Sequence, residues 1–188
     1  MEKKARNKPQ GWLILFLVSL VAALALAGTN ELTKDAIAQR ALEAADAARK
    51  AVLNNADTFE QLQVPDGIGV DNGYRGLMGG QTIGYVAQST VKGYGGEIEV
   101  VVGMDLNGTL TGISVGGPSF SETAGLGDKA KEPAFTGQFK GLKLPAALAD
   151  NVDAISGATI TSTAVVLGVN QAGTFMESVV DSNEGGNK

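Results

Sequence analysis

The spacing of apolar residues changes repeatedly along the chain, and each change marks an element. From Gly11 to Gly28 the run "GWLILFLVSLVAALALAG" is apolar apart from Ser19. At about 1.5 Å per helical residue this segment reaches roughly 27 Å, enough for a thin hydrocarbon core. Trp12 suits the interface belt of a membrane. Leu32, Ile37, Ala41, Leu42, Ala45, Ala48, Val52 and Leu53 then form a loose helical stripe in an alanine-rich, charged stretch, which predicts a connecting helix within residues 29–63. "VPDGIGVDNGYRGLMGG", Val64 to Gly80, reads as a run of turn signals.

Period-two alternation begins at residue 82. "TIGYVAQSTV" puts Ile83, Tyr85 and Ala87 on one face of a strand, and "EIEVVVGM" does the same with Ile98, Val100 and Val102. Asn107-Gly108 predicts a tight hairpin returning through Leu110 to Val115. The Asn107-Gly108-Thr109 triplet also fits a glycosylation acceptor, but the hairpin explains it better. A glycine-punctuated loop follows, with one short helix around Pro133–Phe139. A last helix over about Ile160 to Val180 carries Val165, Val166, Val169, Ala172, Phe175, Met176, Val179 and Val180 at helical spacing. Residues 182–188 read as a frayed tail. The sum is an α+β chain: an N-terminal transmembrane helix, then a small domain at 64–181 with a twisted antiparallel sheet and flanking helices.

Charge adds a direction. Residues 1–10 hold Lys3, Lys4, Arg6 and Lys8 against Glu2, a basic segment expected on the cytoplasmic side. From Thr29 onward there are 11 basic and 19 acidic residues, so the bulk of the chain is acidic and expected outside the cytoplasm, at a plasma or inner membrane. An acidic body argues against nucleic acid as a partner. A signal peptide is the rival to a retained anchor, because Ala25–Ala27 offers an A-x-A cleavage site. Retention is favoured because the apolar run exceeds a typical signal core and the helical pattern continues past it. An N-terminal sequence starting near Gly28 would decide for cleavage.

The 188-residue chain has no cysteine and no histidine. Disulfides, thiolate metal sites and the usual neutral-pH base are therefore excluded, and redox or transfer chemistry must use carboxylates, hydroxyls or a borrowed cofactor. No metal-ligand set and no catalytic residue is predicted. Gly112-Ile113-Ser114-Val115-Gly116 matches the G-x-S-x-G hydrolase pattern, but it lies inside a predicted strand and has no base. "GYGGEIEV" and "GLMGG" lack the lysine and spacing of a phosphate loop.

One segment is out of proportion. "VDAISGATITSTAVVLGV", Val152 to Val169, passes from a polar loop into the last helix and crowds Ser156, Thr159, Thr161, Ser162 and Thr163 at the junction. Thr159 or Thr161 could serve as an ordinary N-cap, yet one cap needs one hydroxyl. A helix N-terminus also favours an anion such as phosphate, and Gly157 and Ala158 keep the approach open.

Asp153-Ala154-Ile155-Ser156-Gly157-Ala158-Thr159 resembles the D-x-x-[ST]-[GA]-A-T flavinylation motif of FMN-binding domains. Such domains occur in the G subunit of the Rnf ion-translocating electron-transfer complex and in the C subunit of the related sodium-pumping NADH:quinone reductase. Glu122-Thr123-Ala124-Gly125-Leu126-Gly127 resembles the family's E-T-P-G-L-G segment, with Ala124 in place of proline, and Phe120 stands where some relatives have histidine. "KGYGGEIEVVVGMDLNGTLTGISV" is similar to its Y-x-G-x-I-x-V stretch. The resemblance covers about residues 80 to 180, and the chain's length favours the Rnf G subunit over the quinone-reductase protein.

The resemblance implies FMN joined through a phosphoester to Thr159, with Ser156, Gly157, Ala158, Ile160, Thr161 and Ser162 around the link. It implies that Glu122, Thr123, Leu126 and Gly127 pack along the flavin, with Tyr94, Gly95 and Gly96 nearby. A separate magnesium-dependent flavin transferase would attach the group, recognising Asp153, because the chain offers no histidine to activate a threonine. The expected role is a redox subunit of a translocase, not catalytic alone, that relays electrons among membrane subunits such as the flavin-carrying D subunit. The other readings are the C subunit of the quinone reductase and a membrane-anchored binding or assembly module without redox chemistry.

Overall fold

The computed structural model describes residues 11–185; the basic segment 1–10 and the last residues of the expected tail, 186–188, lie outside the described residues. The order of elements is α1 (Gly11–Val52), β1 (Thr58–Leu62), β2 (Asn72–Met78), β3 (Gln81–Lys92), β4 (Glu97–Asp105), β5 (Leu110–Gly116), α2 (Pro133–Thr136) and α3 (Thr159–Gly185). Turns of 3-10 helix at Gly127–Lys131 and Gly137–Phe139 flank α2. By contacts the chain forms two compact units, Met1–Glu43 and Ala44–Lys188. In the first, every described side chain is exposed, and α1 is long and apolar enough to cross a membrane, with a mean hydropathy of 2.4 over its most apolar window. No break separates the apolar run from the charged helix after it.

The second unit is built on a five-stranded antiparallel meander in the order β1-β2-β3-β4-β5. One face carries the main core: Tyr85, Ala87 and Val91 of β3, Ile98, Val100, Val102 and Met104 of β4, and Leu110, Ile113 and Val115 of β5. Against it α3 packs Val165, Val169, Ala172, Phe175 and Met176, the helical spacing read from the sequence. Phe135 and Phe139 from the short helical turns meet edge to face at 5.5 Å and close the side of the core. The hairpin at Asn107-Gly108 forms as expected. Gly108 adopts a positive φ of 74°, and the Asp105 carboxylate accepts the N–H groups of Asn107 and Thr109 at 2.8 and 2.9 Å.

Four expectations need correcting. Residues 58–62, inside the stretch read as a connecting helix, are strand β1. Residues 72–78, inside the run read as turns, are β2. The supposed tail is helical through Gly185. Ile83 packs on the face opposite Tyr85 and Ala87, beside Val52, Leu53 and Val86. The cause is a bulge: Gly76 pairs with Gly84 and Leu77 with Thr82, so Ile83 is an extra residue that reverses the alternation.

That second face receives the end of α1. Val52 and Leu53 are buried there with Ala56, Val86 and Val101, and the Arg49 guanidinium lies 4.4 Å from the centre of the Tyr74 ring. A second bulge, at Thr111, turns its hydroxyl onto the Val52 carbonyl. Gly103 makes this docking possible, since a Cβ there would come within 2.5 Å of both the Val52 carbonyl oxygen and Thr111 Oγ1. Gly103→Ala is expected to destabilise the domain by about 1–3 kcal/mol, read as a lowered midpoint in chemical denaturation.

Glu99 of β4 is the described group whose titration departs clearly from the ordinary. Burial first, and the negative charge of Asp71 second, raise its carboxyl above the usual range. The folded state thus holds this proton more tightly than the unfolded chain. The resulting stability is full below the unfolded pKa and is lost as pH rises through the folded one. Glu99→Gln keeps the shape and removes the charge. It should raise Tm at pH 7, with the gain vanishing as pH is lowered to about 4.

Candidate functional site: a cleft at the start of the last helix

The chain approaches α3 through a loop that is tied down at both ends. Gln138 holds the backbone of Asp153 in two directions: Oε1 accepts the Asp153 N–H at 2.8 Å, and Nε2 donates to its carbonyl at 3.3 Å. Gly157 takes a positive φ of 76°, a conformation that costs a residue with Cβ more than glycine. Ala158 closes a turn to the Ile155 carbonyl at 2.9 Å and then accepts the first helical bond, from Ser162 N–H at 3.0 Å. The backbone N–H groups of Thr159, Ile160 and Thr161 precede that bond, so they are donors at the positive end of the helix.

The crowded hydroxyls divide by direction. Ser162 is fully buried; its Oγ accepts the Ile155 N–H at 3.0 Å and donates to the Ala158 carbonyl at 3.0 Å. Thr161 is also buried and donates to Glu122 Oε2 at 2.6 Å. Thr163 bonds back to the Thr159 carbonyl at 2.8 Å. Ser156 and Thr159 are exposed, and neither hydroxyl makes a hydrogen bond among the described residues. Neither Thr159 nor Thr161 is a side-chain N-cap; Ala158 takes that position, and Ser162 does the local tying.

Beside Thr159 opens a cleft of about 490 Å³. Gly157, Ala158, Thr159, Ile160 and Thr161 form its helix side, Glu122, Thr123, Leu126 and Gly127 the opposite loop, and Tyr94 its rim. The volume and the mixture of apolar walls with a few polar groups are those of a small-molecule site. Tyr94, Leu126 and Ile160 are unusually exposed for apolar residues, which suits a site that covers a flat ring. The replacement of proline by Ala124 does not open the opposite loop, because the Thr123 carbonyl accepts the N–H groups of Leu126 and Asp128 at 3.1 and 3.3 Å. Lys131 lies over the Phe120 ring at 3.6 Å, so that position packs a cation.

Every residue lining the cleft was named from the sequence, but five named residues do not line it. Ser162 is buried, and Ser156 is exposed but does not line the cleft. Gly95 and Gly96 pack against residues 119–121: a Cβ on Gly95 would overlap the Ser121 carbonyl, and one on Gly96 would sit 2.5 Å from that of Ser119. Asp153 borders a separate, smaller hollow of about 200 Å³ with Lys129, Glu132 and Gln138. Gln138 was missed, since its partner is 15 residues away and no local pattern links them.

The unequal burial of the hydroxyls has a direct consequence for stability. Ser162→Ala leaves the Ile155 N–H without its acceptor and should cost about 1–3 kcal/mol. Thr159→Val should stay within about 0.5 kcal/mol of the parent. Thermal unfolding of the two variants side by side checks the contrast.

The FMN-binding domain family matches residues 93–174, the stretch that contains the cleft. Three relatives extend the likeness over most of the chain. The G subunit of the proton-translocating ferredoxin:NAD+ oxidoreductase complex of Clostridium ljungdahlii is 32% identical, with 84% of this chain and 85% of that one covered. The G subunit of the Na+-translocating ferredoxin:NAD+ oxidoreductase complex of Acetobacterium woodii is 34% identical, with coverages of 85% and 87%. The G subunit of the ion-translocating oxidoreductase complex of Methanosarcina acetivorans is 37% identical, with coverages of 81% and 85%. A chain similar to these proteins along most of its length, with an FMN-binding domain around an open cleft, belongs to the G-subunit family of Rnf-type ion-translocating oxidoreductase complexes.

Proposed function

We propose that this protein carries FMN covalently on Thr159 and relays electrons within a membrane-bound, ion-translocating Rnf-type complex. The observation that carries the reading is the state of the Thr159 hydroxyl. It is exposed at the lip of the cleft and unbonded among the described residues, while Thr161, Ser162 and Thr163 are all engaged. Ser156 is free as well but does not line the cleft, so Thr159 is the free hydroxyl placed where ring, phosphate and helix donors all fit.

Attachment is a group transfer from FAD. The Thr159 oxygen bonds to the phosphorus of the FMN half, the bond from that phosphorus to the bridging oxygen of the diphosphate breaks, AMP leaves, and the hydroxyl proton goes to solvent. No electron changes hands. The cleft has one carboxylate, Glu122, and both its oxygens already accept protein donors, so no base is at hand for self-attachment. A separate transferase fits this. Its contact with Asp153 would fall on the neighbouring hollow, outside the cleft that the flavin fills.

Once the link is made, the phosphodiester retains one negative charge beside the N–H groups that open α3, and the helix terminus stabilises it. Leu126 and Ile160 would flank the ring, and Thr123 and Gly127 would border it from the loop. FMN supplies reversible one- and two-electron transfer, and the protein supplies position. The tether stops the carrier from diffusing away. The apolar run Gly11–Gly28 contains no ionisable side chain, which suits a protein that passes electrons and leaves ion movement to others. Partners are the other membrane subunits, among them the flavin-carrying D subunit. The basic N-terminus on the cytoplasmic side leaves the flavin domain on the periplasmic or extracellular side.

A likeness of 32–34% identity to G subunits over more than four-fifths of the chain supports this assignment above the C subunit of the quinone reductase. Intact mass of the full chain made with and without an active flavin transferase tests the reading. The parent should gain one FMN ester with the transferase, and Thr159→Val should gain none while remaining folded. A parent chain that stays bare favours a binding or assembly module, and a variant that is still loaded moves the site.

A further inference from the structure

Glu122 stands where three distant segments meet. Its Oε1 accepts the Gly95 N–H of the β3–β4 turn at 3.0 Å, and its Oε2 accepts the Thr161 hydroxyl, in the first turn of α3, at 2.6 Å. Those partners are 27 and 39 residues away, so the carboxylate joins loop, hairpin and helix. The space around it is kept by glycines. A Cβ on Gly93 would overlap Oε1, and one on Gly127 would lie 2.5 Å from Oε2 and 2.8 Å from Thr161 Oγ1. The turn closes on itself through Gly93 N–H to the Gly96 carbonyl at 2.8 Å. Among the described residues, the Gly95–Glu122 bond is the hydrogen bond that fastens this turn to the rest of the cleft. Beside Gly95, on the rim and 69% exposed, is Tyr94.

We propose that Glu122 is a positioning residue: by holding Gly95 and Thr161 together it keeps Tyr94 over the cleft as the aromatic wall against which the isoalloxazine packs. The proposal rests on the flavin reading above and deepens it. In the parent the carboxylate accepts at both ends, from the Gly95 N–H and from the Thr161 hydroxyl, which can also act as an acceptor. Bonds to a charged acceptor are about twice as strong as neutral ones, which suits a tie between a glycine-rich turn and a helix. Glutamine can reproduce the geometry. Its carbonyl accepts from Gly95, and its amide donates to Thr161 Oγ1. Alanine reproduces neither bond, so rescue by glutamine separates positioning from a need for charge at the ring.

Four full-length chains test this: the parent, Glu122→Gln, Glu122→Ala and Tyr94→Leu. Made without the transferase, they report the clamp through amide hydrogen exchange at Gly95. The parent and Glu122→Gln should be protected, and Glu122→Ala should lose about tenfold or more of that protection. Made with the transferase, they report the wall through flavin fluorescence in the native state relative to the same sample denatured. An electron-rich phenol stacked on a flavin quenches its emission. The parent and Glu122→Gln should be quenched, while Tyr94→Leu and Glu122→Ala should be several-fold brighter at equal attached mass. Parent-like exchange in Glu122→Ala overturns the clamp, and parent-like quenching in Tyr94→Leu overturns the wall. Absence of attached flavin from all four sinks the covalent reading instead, and the exchange result still decides the clamp.

Discussion

The site depends on how the first turn of α3 shares its hydroxyls between core and solvent. Successive helical positions are turned by about 100°, so Thr161 lies about 160° around the helix from Thr159, while Ser162 falls about 60° to one side of it and Thr163 about 40° to the other. Thr161 and Ser162 face inward, where Thr161 donates to Glu122 and Ser162 accepts the Ile155 N–H. Thr159 and Thr163 share the outer face, and Thr163 spends its hydrogen on the Thr159 carbonyl. The Ser162 side chain joins Ile155 to Ala158 and, with the Ala158 N–H bond to the Ile155 carbonyl, fixes where the loop stops and the helix starts. The exposure of Thr159 at the lip of a cleft follows from that fixed boundary.

The rest of the domain holds this boundary still. Helix α3 crosses β3 and β4 along one face of the sheet, and its N-terminus arrives beside the β3–β4 turn and the loop before the Gly127–Lys131 turn. Those three pieces make the cleft, and Glu122 bonds two of them from the third. On the opposite face the end of α1 fills the space left by Gly76 and Gly103, so the sheet is covered on both sides where it bears the most apolar residues. On the proposed reading, a domain without cysteine or histidine would supply one accessible hydroxyl, a set of helix donors and a shaped wall, and the flavin would supply the redox chemistry.

Much of this was legible in the sequence because the signals are local. The Asn107-Gly108 hairpin, the alternation in β4 and the helical stripe of α3 each depend on neighbouring residues. Seven of the ten cleft residues lie in two short motifs, "SGAT" and "ETAGLG", and the structure brings both to one place. What was illegible depends on partners far along the chain. Strand β2 was read as turns because Gly73 and Gly76 break its alternation; each lacks a side chain because a Phe175 or Leu53 side chain fills the place. Ile83 was put on the wrong face because a bulge is set by the pairing strand. Gly95 and Gly96 were read as lying near the flavin, and the close approach of residues 119–121 that also requires them to be small has no local signal.

The central claim is that one hydroxyl out of five at this junction carries the flavin, and the most direct measurement is fragment mapping of the peptide spanning residues 144–188, which has no internal lysine or arginine. Taken from the membrane complex in its native state, that peptide should carry one riboflavin phosphate group, with fragment ions assigning it to Thr159. A bare peptide, or the group on Ser156, Thr161, Ser162 or Thr163, would contradict the account.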